Sequence, residues 1–229
     1  MHPTILLFDI DGTLIDTGGA GRRSMERAFE CVTGRADACA HFSFDGMTDR
    51  AIVRRGLDAV GTSADEPAID RVLDAYLEAL VAEVAASTGY VTHPGIDHVL
   101  AHAARFSHIA LGLGTGNVRD GARIKLDRAS LFGRFSFGGF GCDAEERARI
   151  LDAGARRGAE LLGKDRGDCR VVVIGDTPKD IAAAQAIGAE SLAVGTGRFV
   201  PEDLAKAGAT FVCDNLLSPN AFAMLFPDA

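Results

Sequence analysis

The strongest constraint on the fold is a set of short apolar runs, each followed by Gly, Asp or Thr and then by a helix-like stretch. The runs are Thr4 to Phe8, His108 to Leu113, Arg170 to Ile174 and Ser191 to Val194. A strand with one wet face alternates apolar and polar residues; a run without alternation is buried on both faces. Such runs separated by helices predict a parallel sheet covered on both sides. Phe211-Val212-Cys213 is a candidate further edge strand, and 135–140 reads equally well as strand or loop.

The pattern changes between about Gly18 and Thr92. Helical periodicity appears near Gly21–Thr33, Thr48–Val60 and Pro67–Ser87, with no convincing strand between them. The third stretch repeats Ile69, Val72, Leu73, Tyr76, Leu77, Leu80 and Val84 at helical spacing. Gly18, Gly19 and Gly21 on one side, and His93-Pro94-Gly95 on the other, are candidate hinges. The expected fold class is therefore α/β: a Rossmann-like parallel sheet core with helices on both faces, plus an inserted all-helical unit. The core takes residues 1–16 and 93–229, and the insertion takes 17–92.

Composition narrows the function. At 229 residues the chain can bury a core without staples. A formal net charge of -8 with no basic stripe argues against a nucleic-acid partner and against an anionic membrane surface. A small phosphorylated ligand needs only local positive charge, so it stays open. The five cysteines are odd in number and lack a CxxC pair, which favours reduced thiols. No apolar run has the length of a secretory leader or a membrane span, and the expected compartment is the cytoplasm.

Ligands of open parallel sheets bind at the carboxyl ends of the strands. The polar residues there are Asp9 and Asp11, then Thr115 to Asn117, then Asp176. Two carboxylates two residues apart at a strand end can project the same way, and Gly12 lets the chain turn sharply after them. A carboxylate can attack phosphorus, and a second one can give a proton to the leaving oxygen. Thr115 and the free N–H groups of a strand-to-helix turn can hold phosphate oxygens. Asp176 and Asp180, in Gly175-Asp176-Thr177-Pro178-Lys179-Asp180, suit a hard cation. Asp180 also has a plain reading as half of a capping box with Thr177.

The string Asp9-Ile10-Asp11-Gly12-Thr13-Leu14-Ile15-Asp16 resembles motif I of the haloacid dehalogenase-like (HAD) hydrolases, and the other motifs follow in order over most of the chain. The likeness is to phosphoglycolate phosphatase-like members. It implies that Asp9 is the nucleophile and a Mg²⁺ ligand. Asp11 is then the general acid/base, with its backbone carbonyl also on the metal, and Asp176 completes the ligand set. Asp180 would stand behind the metal. Gly12, Thr115, Gly116 and Asn117 would contact the phosphate. The helical insertion occupies the place of the family's cap, where Arg22, Arg23 and the turn Phe44-Asp45-Gly46-Met47-Thr48-Asp49-Arg50 are candidate substrate readers alongside their ordinary roles as caps and surface charges. The family's third motif, usually Lys-Pro, is missing. Arg147 and Lys125 are the two candidates for its cation; Arg147, heading the helix before the Asp176 strand, is favoured.

Asp11 argues against dehalogenation, which typically lacks the second acid. None of the four lysines lies in the insertion, which argues against a Schiff-base phosphonate hydrolase. The expected activity is Mg²⁺-dependent hydrolysis of a small phosphorylated metabolite through an aspartyl-phosphate on Asp9. A phosphomutase of the β-phosphoglucomutase type and a silent phosphate-binding regulator are the alternatives. Substrate identity and oligomeric state are open. The GxGxxA string at 139–144 is misplaced for a dinucleotide site, and His98 and His102 read as a solvated helix face rather than a metal pair.

Overall fold

The computed structural model describes residues 2–227. A six-stranded sheet is built from β1 (Thr4–Phe8), β4 (Ile109–Gly114), β5 (Phe137–Gly139), β6 (Arg170–Gly175), β7 (Glu190–Val194) and β8 (Phe211–Cys213). The strand order is β5-β4-β1-β6-β7-β8, and every pair is parallel. The chain thus starts in the middle of the sheet and winds outward both ways. The ambiguous stretch 135–140 resolves as β5, and 211–213 as the β8 edge.

Side chains of β1 leave alternately toward two apolar layers, which explains its unbroken apolar run. Leu6 and Phe8 join Val172, Ile174 and Leu192 on one face. There they meet α4 (Ile96–Ala103), α5 (Arg119–Asp127) and the C-terminal α9 (Pro219–Leu225). Ile5 and Leu7 join Val171 and Val173 on the other face, against α6 (Arg147–Leu161) and α7 (Pro178–Ala186). A short α8 (Pro201–Lys206) covers Ala193 and Ile181 through Leu204.

Three helices lie between β1 and α4 in sequence: α1 (Ala20–Thr33), α2 (Asp49–Ala59) and α3 (Glu66–Ala86). They share a separate apolar cluster of Met25, Phe29, Ile52, Leu57, Ile69, Val72, Tyr76 and Leu80. Thr48 caps α2 by accepting the Ala51 N–H, and Asp65 caps α3 by accepting that of Ala68. The chain enters and leaves this layer through a two-stranded antiparallel ribbon absent from the sequence reading: β2 (Ile15–Thr17) with β3 (Tyr90–Thr92). Three-residue strands are too short to show a period, so only the tertiary pairing reveals them. The ribbon coincides with the expected unit boundaries at 16/17 and 92/93.

His98 is exposed, as a solvated helix face requires, and His102 is half-buried. Both rings pack on Phe222 of α9, with centroids 5.1 and 4.5 Å away, and His102 also meets Phe226. The glycines of the 139–144 string serve packing: a Cβ on Gly139 would come within 1.9 Å of the Ile150 carbonyl oxygen in α6. Among the described residues no helix is long and apolar enough to cross a membrane.

Candidate active site

Four strand ends converge on one cavity of about 990 Å³ beneath the helical layer. From β1 comes Asp9, buried, its N–H donating to the Ile174 carbonyl at 2.8 Å. Gly12 turns the chain with φ +80, a conformation that disfavours a side chain. Space enforces the same choice, since a Cβ there would lie 2.3 Å from Asp176 Oδ2. The next residue, Thr13, donates its hydroxyl to Asp176 Oδ1 at 3.2 Å.

From β4 comes Thr115, fully buried, whose hydroxyl accepts from Asn117 Nδ2 at 2.9 Å. From β6 come Asp176 and then the capped start of α7. The capping box is real: Thr177 donates from its N–H and hydroxyl to Asp180 Oδ2, and accepts from the Asp180 N–H. Asp180 Oδ1 is left over from the cap and faces Arg147. The two readings of Asp180, cap and site residue, therefore use different oxygens of one carboxylate.

Asp9, Asp176 and Asp180 each bring an oxygen within 4.8 Å of the others. Such crowding in a buried place is costly for charge. Burial first, then Asp180 and Asp9, pushes Asp176 up to about 8. Burial likewise pushes Asp9 up to about 6, although the Arg147 guanidinium pulls the other way. Three buried carboxyl oxygens this close together could hold a small cation that prefers oxygen ligands. The Asp11 carboxylate is not in this group. It is drawn aside by Lys125 Nζ at 2.7 Å and Asn117 Nδ2 at 2.9 Å, both on Oδ2.

Both third-motif candidates enter the site, neither as a surface charge. Arg147 Nη2 lies 2.7 Å from Asp9 Oδ2 and 2.5 Å from Asp180 Oδ1. Both contacts are ion pairs between buried groups. Burial opposes the guanidinium charge, but the two carboxylates outweigh it and raise its pKa. Lys125 starts two turns along α5, the distance that counted against it. Its extended side chain nevertheless reaches back to Asp11 and not to Asp9, so the two cations serve different carboxylates.

Of the candidate substrate readers, Arg22 lines the cavity. Its guanidinium is occupied by the carbonyls of Cys39 and Phe42 and lies over the Phe44 ring. Arg23 turns away, to Glu83 and the Gly18 carbonyl. Thr48 caps α2 and donates to the Glu145 carbonyl. Neither Arg23 nor Thr48 is among the lining residues.

Several lining residues were missed. Gly195-Thr196-Gly197-Arg198 follows β7, and Thr196 donates to the Gly12 carbonyl at 2.6 Å. The strand-end rule applied to the fourth apolar run would have found it. Tyr76 enters from α3 with no local signal to mark it, whereas Asp49 and its neighbours Phe44 to Met47 belong to the turn already expected to read the substrate. The layer is seated on the strand ends by Asp49 N–H to Gly116 O at 2.9 Å, Lys179 Nζ to Asp45 O at 3.0 Å, and an Arg198–Asp45 ion pair at 2.7 Å.

Comparison with known proteins agrees with this geometry. A family described as HAD-hydrolase-like matches residues 151–219, the stretch holding β6, Asp176 and Asp180. No curated protein matches the chain. A β-phosphoglucomutase from Clostridium difficile shares the fold at TM-score 0.73 and 18% identity, covering 100% of this chain and 98% of its own. CbbY from Rhodobacter sphaeroides, solved with phosphate, gives 0.69 and 20%, covering 94% and 95%. A predicted phosphatase from Clostridium acetobutylicum gives 0.69 and 18%, covering 98% and 99%. At these identities the structural likeness speaks for the fold. The family match covers residues 151–219, and the solved structures share the fold over nearly the whole chain.

Proposed function

We propose that this chain is a HAD-like hydrolase, a Mg²⁺-dependent phosphatase acting on a small phosphorylated metabolite, with residues 17–92 as its cap. The observation that carries the reading is the division of labour between two carboxylates two residues apart. Asp9 sits against a guanidinium and two buried carboxyls, while Asp11 is turned to the other side and is half exposed in the cavity.

In this reading Asp9 attacks phosphorus and the bond to the leaving oxygen breaks. Asp11 gives that oxygen its proton, and later takes one from the water that opens the aspartyl-phosphate. Arg147 offsets charge on Asp9 and on the phosphoryl group. Thr115, Gly116 and Asn117 hold phosphoryl oxygens, with Gly12 keeping the turn open. Asp9, Asp176 and the Asp11 carbonyl would hold Mg²⁺, with Asp180 behind them. The ion supplies positive charge to the phosphoryl oxygens when bound. The seated helical layer keeps bulk water from the charged centre.

A mutase would use the same groups, and the fold match to a β-phosphoglucomutase keeps that reading alive. Phosphate release from p-nitrophenyl phosphate, with Mg²⁺ and with EDTA, tests the proposal in the wild type and in Asp9→Asn. Metal-dependent release that the variant lacks is expected. Near-normal turnover by a folded Asp9→Asn protein would refute the mechanism. Conversion of a sugar phosphate to its isomer without net phosphate release would establish the mutase instead.

A further inference from the structure

The proposed chemistry leaves one buried charge without a task. Lys125 is 4% exposed, and a buried ammonium needs partners for its three protons. Its Nζ lies 2.7 Å from Asp11 Oδ2 and donates to Asn117 Oδ1 at 2.6 Å. Asn117 closes the ring by donating its amide to the same Asp11 oxygen, and to Thr115 Oγ1. Both contacts on the Asp11 carboxylate thus fall on Oδ2, which leaves Oδ1 for a substrate.

The same ammonium faces the helical layer. Its other polar neighbours are Tyr76 of α3 and Asp49 of α2. Asp49 is itself fixed to the core, accepting from the Val118 N–H at 2.8 Å at the head of α5. The layer also approaches from α1, where a Cβ on Gly21 would stand 3.5 Å from Lys125 Nζ. From the ribbon, Tyr90 donates its hydroxyl to the Lys125 carbonyl at 2.8 Å. One side chain therefore pairs with the acid/base carboxylate and the phosphate turn, in a cavity that Tyr76 and Asp49 of the covering layer also line.

We propose that Lys125 is a positioning residue: it fixes the Asp11 carboxylate by one oxygen and, through Tyr76 and Asp49, makes that placement depend on the seated helical layer. The role of Asp11 in this inference rests on the phosphatase reading; the placement of Asp11 does not. Lys125 transfers no proton. The proton passes from Asp11 Oδ1 to the leaving oxygen as the phosphorus–oxygen bond breaks and the bond to Asp9 forms. When the layer lifts, Lys125 loses two of its polar neighbours, so the acid is set in place only over a covered substrate.

The test compares wild type, Lys125→Met and Tyr76→Phe on aryl phosphates whose leaving phenols range from p-nitrophenol to phenol, with Mg²⁺ present. A misplaced acid matters most when the leaving group needs its proton. Lys125→Met is expected to lower kcat about 100-fold on phenyl phosphate, the low end of what acid–base catalysis supplies, and less on p-nitrophenyl phosphate, with KM little changed. Tyr76→Phe should show the same pattern more weakly, and it carries the test if Lys125→Met fails to fold. An equal loss across the series, or a change confined to KM, would overturn the proposal. Crystal structures of the wild type and Lys125→Met separate the two readings. Asp11 turned away in the variant supports the positioning role even if the wild type hydrolyses none of these esters, which would defeat the phosphatase reading alone. Asp11 unmoved in the variant would overturn the positioning role whatever the activity.

Discussion

Replacing Arg147 by Met removes the one cation in contact with the acidic cluster while keeping much of the side chain's bulk. Its Nη2 stands 2.7 Å from Asp9 and 2.5 Å from Asp180, with all three side chains at most 8% exposed. At an effective dielectric of about 20, opposite unit charges 4 Å apart attract by about 4 kcal/mol. Desolvation consumes part of that, and breaking a buried pair from one side typically costs about 3–5 kcal/mol. For a chain of this size the loss corresponds to a fall in melting temperature of about 6–20 °C.

The pH dependence of that loss has a definite sign. Asp9 and Asp176 are held up to about 6 and about 8, above their ordinary 3.8, so the folded chain keeps protons that the unfolded chain has released. Their contribution to stability therefore falls as pH rises from about 4 through those two values. Without Arg147 the carboxyls hold protons still longer, so the variant should lose more against wild type at pH 8 than at pH 5.5. Thermal unfolding followed by circular dichroism, in EDTA at both pH values, measures this. Added Mg²⁺ should recover part of the loss at pH 8, because a cation again faces the carboxylates. An Arg147→Met protein that melts with the wild type in EDTA at pH 8 would refute the electrostatic account of the site.

Two glycines give sharper geometric tests. Gly197→Ala would place a Cβ 1.8 Å from Asp176 Oδ2 and force that carboxylate to move. The Mg²⁺ concentration for half-maximal activity should rise about 10-fold or more, the usual penalty for disturbing a ligand's surroundings, with little change in melting temperature because the loop is exposed. Gly116→Ala would set a Cβ 2.6 Å from the Met47 carbonyl oxygen and wedge the 47–48 turn off the core. Faster amide exchange across residues 44–54 is expected, with a stability cost of about 1–3 kcal/mol.

The parallel sheet was legible in the sequence because strands buried on both faces must be apolar throughout, and β1, β4, β6 and β7 are. The three inserted helices were legible because Ile69, Val72, Leu73, Tyr76 and Leu80 keep one face inward at a helical period. Asp9, Thr115 and Asp176 were legible because strand ends in such a sheet point to one place. These are local or periodic properties, and a chain carries them in its order of residues.

What the sequence left open depended on reach and on approach from other parts of the chain. Arg147 was favoured over Lys125 on position, but position along a helix does not tell where a long side chain ends. Only folding sends one to Asp9 and the other to Asp11. Arg22 kept its place in the cavity but gave its donors to loop carbonyls, and Arg23 turned to Glu83, choices made by neighbours more than sixteen residues away. Asp49 was read only as part of a turn, and Tyr76 only as part of a helical period. They line the cavity because the β2–β3 ribbon and the seated layer bring α2 and α3 over the strand ends. The raised pKa values of Asp9 and Asp176 arise the same way, since the burial and crowding that cause them exist only once four distant segments share one small volume.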